Sequence, residues 1–224
     1  MKIEAGKLYA VITGDIVDSS KLPPEKRQQL HKVMKEGSKA LRKAFKKDVP
    51  MNADIFRGDS WQMLVSDPSK SLRLALFYRA YIKSRMELSK VDTRMAIGVG
   101  TIDFIPGTKV SEGDGEAYRN SGQMLAEISK SVCMRFIFPG NEKSAALDII
   151  VQLVDAIVRR RWTDKRSLAI TGALQGWKQD RIALLWDKPI KQQSIVDNLN
   201  GGDWKSIEKA ISFFEKSLPK QSNL

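Results

Sequence analysis

The first apolar run, Leu8-Tyr9-Ala10-Val11-Ile12-Thr13, is nearly continuous, as in a strand buried on both faces, and it gives way to Gly14-Asp15-Ile16-Val17-Asp18-Ser19-Ser20, a turn-forming stretch. Pro23 and Pro24 then open a helix to about Lys47, with Leu30, Val33, Met34, Leu41 and Phe45 as its apolar stripe. Residues 53–57 and 61–65 have strand-like patterns, and Gly58-Asp59-Ser60 between them marks a hairpin with Asp59 at its tip. A second helix is expected over 68–89 and a fourth strand over 94–100. The order strand, helix, strand, strand, helix, strand is that of the ferredoxin-like (cyclase- or palm-like) α+β fold. It predicts first and third strands side by side and parallel in an otherwise antiparallel sheet. A loop rich in Gly and acid, residues 112–116, precedes a third helix over 117–130 and a strand around Cys133. From Glu142 onward the periodicity is helical throughout, over 145–162, 164–174, 177–186, 191–199 and 203–218, with a frayed tail at 219–224. Two domains are therefore expected, an α+β domain over 1–140 and an all-α domain over 141–224.

Composition narrows the chemistry. The chain has 224 residues, 42% hydrophobic and 29% charged, enough to bury an ordinary core. Its single Cys133 excludes an internal disulfide framework and a cysteine-based zinc site, and its single His31 excludes histidine clusters. Cys133 lies in an apolar run and reads as a buried thiol, whereas His31 lies on a charged amphipathic helix. The N-terminal residues lack the apolar segment of a signal peptide and no run of 18 apolar residues occurs, so a cytoplasmic protein without a membrane partner is expected. The formal charge of +12 raises the question of a polyanionic partner. Residues 141–224 hold 14 basic and 10 acidic side chains, so two thirds of the excess lies before residue 141.

In a ferredoxin-like order the end of the first strand adjoins the central hairpin, which brings Asp15 and Asp59 to one edge of the sheet. Two carboxylates with a backbone carbonyl such as that of Ile16 make a hard-oxygen site suited to Mg2+ or Mn2+ with a nucleotide's phosphates. The same aspartates would also serve as ordinary turn and cap residues.

The segments Gly14–Ser20, Phe56-Arg57-Gly58-Asp59-Ser60, Arg94–Gly100 and Gly115-Glu116-Ala117-Tyr118 resemble, in that order, the motifs of the class III nucleotidyl cyclase catalytic domain. The resemblance implies that Asp15 and Asp59 are metal-binding, and that Arg57, Gly58, Gly115 and Arg119 stand in nucleotide-contacting segments. It also implies a homodimer. The family's transition-state asparagine and arginine would fall on Arg119 and Gln123, and its purine-selecting lysine on Ile55, so the donors for phosphoryl chemistry are not in their usual places. Over nearly the whole chain, Val11–Ser20 and Gly202–Ala210 are similar to the ends of the SatD family of bacterial proteins, which implies a cyclase-like part followed by a helix-turn-helix-like part.

Within the helical half, residues 176–186 resemble the first helix of a helix-turn-helix, with Ala183 at the close crossing. Residues 191–199 would then be the recognition helix. Ile195 and Leu199 face inward, and Lys191, Gln192, Gln193, Ser194 and Asn198 face DNA. The connection 187–190 is longer than the usual tight turn and has no glycine, and Asp197 would repel phosphate. A generic bundle with Trp162, Trp177, Trp186 and Trp204 in its core is the simpler alternative. Arg159-Arg160-Arg161 would either grip phosphate or complement a helix dipole. The expected function is a cytoplasmic regulator in which a catalytically degenerate cyclase-like domain senses a nucleotide or metal and a helix-turn-helix binds DNA. The competing expectations are a metal-dependent nucleotidyl or phosphoryl transferase that uses Arg57 or Arg119, and a protein-interaction module that binds no DNA.

Overall fold

A computed structural model describes residues 3–86, 91–129 and 131–219. Its strands β1 (Tyr9–Ile16), β2 (Asp54–Phe56), β3 (Ser60–Val65), β4 (Thr93–Gly100) and β5 (Met134–Ile137) form one mixed sheet in the order β2-β3-β1-β4-β5. β1 is the central strand, and every residue in it except Asp15 is buried, as its unbroken apolar run requires.

The expected parallel pairing of the first and third strands is incorrect. They are neighbours but antiparallel, with Val11 opposite Leu64 and Thr13 opposite Gln62. The reason is geometric. Helix α1 (Pro24–Ala44) returns the chain so that β2 runs in the direction of β1, and the β2–β3 hairpin then reverses it, so a third strand inserted between them opposes both. The parallel pair is β4 with β5, joined through α3 (Glu116–Ala126).

Helices cover both faces. Ala10, Ile12 and Ile16 of β1 point into the main core beneath α1 and α2 (Ser71–Arg85), while Tyr9 and Val11 point to the α3 side with Leu64, Ala117 and Tyr118. α3 lies backbone-close on β4, because a Cβ at Gly98 would run into the Ser121 amide. α2 is buried almost all round, which its lack of a polar face anticipates. α2 ends at Arg85, where Met86 turns to extended backbone, and α3 ends at Ala126, so both helices stop short of their expected ends at Ser89 and Lys130; residues 87–90, Lys130 and 220–224 lie outside the described residues.

The second half consists of α4 (Ser144–Arg161), α5 (Asp164–Leu174), α6 (Gln179–Ala183), α7 (Gln192–Gly201) and α8 (Trp204–Ser217). The change of pattern at residue 140 does not divide the main core. Val151 and Val154 of α4, Ile170 of α5 and Ile211 and Phe214 of α8 belong to the same buried cluster as Ile12, Met34 and Leu76. Phe214 meets Phe136 of β5 edge to face with ring centres 5.0 Å apart.

Charge also ties the halves together. Fully buried Arg79 of α2 grips both oxygens of Asp92 at 2.7 and 2.8 Å and Asp155 of α4 at 2.7 Å. Lys83 also donates to Asp92, while Arg159 and the Cys133 amide donate to Asp155. On the other side of the helical layer, Glu215 of α8 accepts from Lys70 and Arg73 at 3.1 and 2.7 Å.

Candidate functional sites

The first candidate site is the sheet edge where β1 ends. Asp15 stands opposite Arg94 in the β1–β4 ladder, and the guanidinium holds both carboxylate oxygens, Nε to Oδ1 at 2.9 Å and Nη2 to Oδ2 at 2.8 Å. The hydrogen bonding to Asp15 is the main reason that the Arg94 pKa lies above its ordinary value. The floor beneath is fixed too, since Trp61 donates to the Thr93 hydroxyl and that hydroxyl donates to the Asp15 carbonyl. Asp59, last residue of the three-residue loop between the paired Phe56 and Ser60, accepts from the Ser19 hydroxyl. Asp18 and Arg57 both have left-handed backbone, with φ of 54° and 51°. Two such residues at one edge are a local concentration of strain.

Asp15 and Asp59 therefore share the expected edge, with Ile16 ending the same strand. Both oxygens of Asp15 are engaged by Arg94, and one oxygen of Asp59 is engaged by the Ser19 hydroxyl. Among the described residues no group of three His, Cys, Asp or Glu side chains is placed to hold a metal ion.

The candidate nucleotide contacts are split. Arg57 and Gly58 are exposed at the hairpin tip on the acidic edge. Gly115 precedes α3 beside Ile102, just past the end of β4 where Gly100 pairs with Tyr9. Six positions of β1 separate Tyr9 from Asp15, or about 20 Å at strand rise. A Cβ at Gly115 would sit 2.6 Å from the Ile102 Cα, so packing alone accounts for that glycine. Arg119 is exposed and turned toward Asp114 at 3.0 Å and Asp103 at 3.5 Å. Gly115 and Arg119 thus lie at the opposite end of the sheet from the paired aspartates.

The second candidate site is in the helical half. The helix expected over 177–186 is only Gln179–Ala183. Leu184 and Leu185 bond back three residues, to Arg181 and Ile182, and this tightened turn ends it. The expected recognition helix is present as α7, Gln192–Gly201. Its Ile195 is fully buried with Ala169 and Ala173 of α5 and Ile182 of α6, and Leu199 packs against the same cluster. The close crossing in this helix group is at Gly172 of α5, where a Cβ would stand 2.7 Å from Ile182 Cγ1, whereas Ala183 is half-buried beside it. The helix expected over 164–174 is present as α5, and it packs against both α6 and α7, so the two-helix unit of residues 176–199 is part of a three-helix group. Gly172 inside an otherwise regular helical pattern is the available signal of that packing.

Lys191, Gln192 and Gln193 are exposed, and Ser194 and Asn198 are half-buried. Their polar groups make local bonds: Gln192 donates to Gln179 of α6, Gln193 to Asp197, and Asn198 to the Ser194 carbonyl. Gln192 also borders an open groove of about 660 Å³ with Lys178, Gln179, Asp180, Ala183 and Ile190. The tryptophans divide. Trp162 is core and donates to the Gly202 carbonyl, while Trp177, Trp186 and Trp204 are half-buried around the α7 cluster, with Arg181 stacked 3.9 Å over the Trp177 ring. Arg159 of the arginine triplet is bound to Asp155, and Arg161 lends its carbonyl to Arg166.

The charge is more concentrated than the halves suggested. Residues 21–47 carry ten Lys or Arg and two Glu, and most of those cations, including Arg27, Lys32, Lys35, Lys39, Arg42 and Lys43 of α1, are exposed. The C-terminal part of α1 and the α5–α6 region line one groove of about 460 Å³, and its lining includes Lys43, Arg85 and Arg181 and, among the described residues, no carboxylate. Comparison with protein-family models and with curated proteins gives no match to this chain. No described helix is long and apolar enough to cross a membrane.

Proposed function

We propose that this chain is a cytoplasmic regulatory protein that binds DNA through α5, α6 and α7 and carries a degenerate, cyclase-like domain of ferredoxin-like topology. The observation that carries the reading is the seating of α7. Its inner face is anchored by Ile195, while Lys191, Gln192 and Gln193 stand uncovered at its start beside an open groove, as a helix presented to a major groove requires. The exposed cations of α1 would supply sequence-independent phosphate contacts. The strand order β2-β3-β1-β4 supports the ferredoxin-like part, and the resemblance to the SatD family is in keeping with both parts. Electrophoretic shifts with fragments of the source genome, at two salt concentrations, test this. Binding that weakens with salt and loses sequence preference in Gln192→Ala/Gln193→Ala supports the reading, and no binding to any fragment overturns it.

A second reading, a metal-dependent nucleotidyl or phosphoryl transferase using Mg2+ or Mn2+, is favoured by one observation, the common edge of Asp15 and Asp59. It requires Arg94 to release Asp15, after which Asp15, Asp59 and the Ile16 carbonyl are the oxygens offered to the ion. Incubation with nucleoside triphosphates and Mn2+ decides it, since turnover that Asp59→Ala abolishes would establish the enzyme.

A further inference from the structure

Helix α4 is apolar on two faces and needs only one of them for its own fold. Leu147, Val151, Val154 and Val158 enter the main core, yet Ile149 and Leu153, one turn apart on the other side, are 58% and 62% exposed, with Ala145 and Ala146 exposed beside them. At 100° per residue Ala146, Ile149, Leu153, Ala156 and Arg160 of α4 fall along a single stripe, and Glu142 stands in the turn that leads into its N-terminal end. The stripe is bulky in the middle, small on either side and oppositely charged at its ends. Glu142 and Arg160 are exposed, and neither has an ion-pair partner among the described residues. The other acids of α4 are already engaged, Asp148 by Arg135 and Asp155 by Arg79 and Arg159.

We propose that this stripe is a homodimer face on which α4 packs antiparallel against α4 of a second copy, across a two-fold axis at residue 151. The pattern is self-complementary in that register alone. Ile149 of one copy meets Leu153 of the other, Ala146 meets Ala156, and Glu142 meets Arg160, and the symmetry repeats each contact. A parallel pair would instead set Arg160 on Arg160 and Glu142 on Glu142. The alanines flanking the bulky centre let the two backbones approach closely. One helix pair covers less than the ~800 Å² per partner of a standard interface, so the dimer is concentration-dependent rather than obligate. This proposal is independent of DNA binding and of any ligand at the acidic edge.

Sedimentation of the full chain over a range of concentrations tests it. Leu153→Glu, at an exposed position that leaves the core intact, is expected to weaken dimerisation by at least about a hundredfold with unchanged helical circular dichroism. Glu142→Arg and Arg160→Glu, studied singly, each place like charges face to face and are expected to weaken the dimer about three- to tenfold. Mixed in equal amounts, those two variants restore both ion pairs and are expected to form a heterodimer near the wild-type affinity. A wild-type chain that stays monomeric at several hundred micromolar, or a dimer indifferent to Leu153→Glu, overturns the proposal. Charge variants that pair no better mixed than alone overturn the antiparallel register and the proposal with it.

Discussion

Replacing Arg79 with methionine removes the one cation that joins α2 to both Asp92 and Asp155, and each carboxylate keeps a weaker partner, Lys83 and Arg159. Taking one member out of a buried ionic network costs about 3–5 kcal/mol, because the remaining charge stays desolvated without its partner. Part of that sum can be worked from Asp92. Burial alone would raise its pKa, but the charge and hydrogen bonds of Arg79, then Lys83 and the Thr93 amide, outweigh burial and hold it at about 2, against an ordinary 3.8. The difference is worth about 2–3 kcal/mol. The folded state binds this proton more weakly than the unfolded chain. Its contribution is therefore complete above pH ~4 and is lost as pH falls through about 2. Urea unfolding at pH 7 should place Arg79→Met about 3–5 kcal/mol below the wild type, with a melting temperature lower by about 6–20 °C. Between pH 4 and 2 the variant's stability should fall less steeply than the wild type's, because its Asp92 is no longer held down. The triple variant Arg79→Met/Asp92→Asn/Asp155→Asn should recover part of the loss, since it leaves no unpaired carboxylate. A single variant within 1 kcal/mol of the wild type, or an unchanged acid limb, would refute the reasoning.

Three further outcomes are expected. Burial pushes the Cys133 thiol up to about 11, leaving roughly one thiolate in a thousand at pH 8, so a disulfide reagent should modify the native protein far more slowly than the urea-unfolded one; equal rates would contradict its placement. Gly98→Ala should cost more than about 2 kcal/mol because the new Cβ meets the Ser121 backbone, whereas Gly58→Ala, at φ +86° in open space, should cost only about 1 kcal/mol of backbone strain; a reversed order in thermal melts would be inconsistent with α3 lying so close to β4. If α1 contacts DNA phosphate, Lys35→Glu/Lys39→Glu/Lys43→Glu should flatten the dependence of log affinity on log salt by about 3 and leave sequence preference intact; an unchanged slope would remove α1 from the interface.

Much of the sheet was legible because its strands are extreme. The run Leu8–Thr13 has no polar face to offer solvent, and β1 is indeed the central strand. The hairpin at Gly58 was legible from turn chemistry, and the structure gives its loop a left-handed Arg57 and Gly58. The antiparallel sense of the β1–β3 pairing follows from hairpin reversal, against the parallel sense expected from the order of elements. The partners of Asp15 and Asp59 were not legible. Strand register sets Arg94 opposite Asp15 across 78 intervening residues, and single-sequence spacing carries no register information at that range. The separation of Gly115 from Asp15 is not legible for the same reason, since motif order along the chain says nothing about which end of a strand each motif occupies. In the helical half Ile195 and Leu199 make the α7 pattern legible, whereas α6 is half as long as its pattern suggests because Leu184, Leu185 and Trp186 continue an apolar pattern after the helix has stopped.

The buried contacts bear on how the two halves of the sequence work together. The Asp15 carbonyl is held by Thr93, whose amide donates to Asp92; Asp92 is clamped by Arg79, and Arg79 stands on α2, the helix that packs with α5 in the main core. α5 in turn supports Ile195 of α7 through Ala169 and Ala173. Every residue in this chain of contacts is buried or half-buried, so a displacement of Arg94 from Asp15 would reach α5 through α2. Such coupling is a free energy and must be reciprocal. In the regulator proposed above, any factor by which a ligand at the acidic edge changes DNA affinity at α7 is the factor by which DNA changes the ligand's affinity. Because the main core crosses residue 140, that equality belongs to the intact chain: cutting there would expose Val151, Val154, Ile211 and Phe214 together with the sheet surface they cover, and would remove the connection along with the cut.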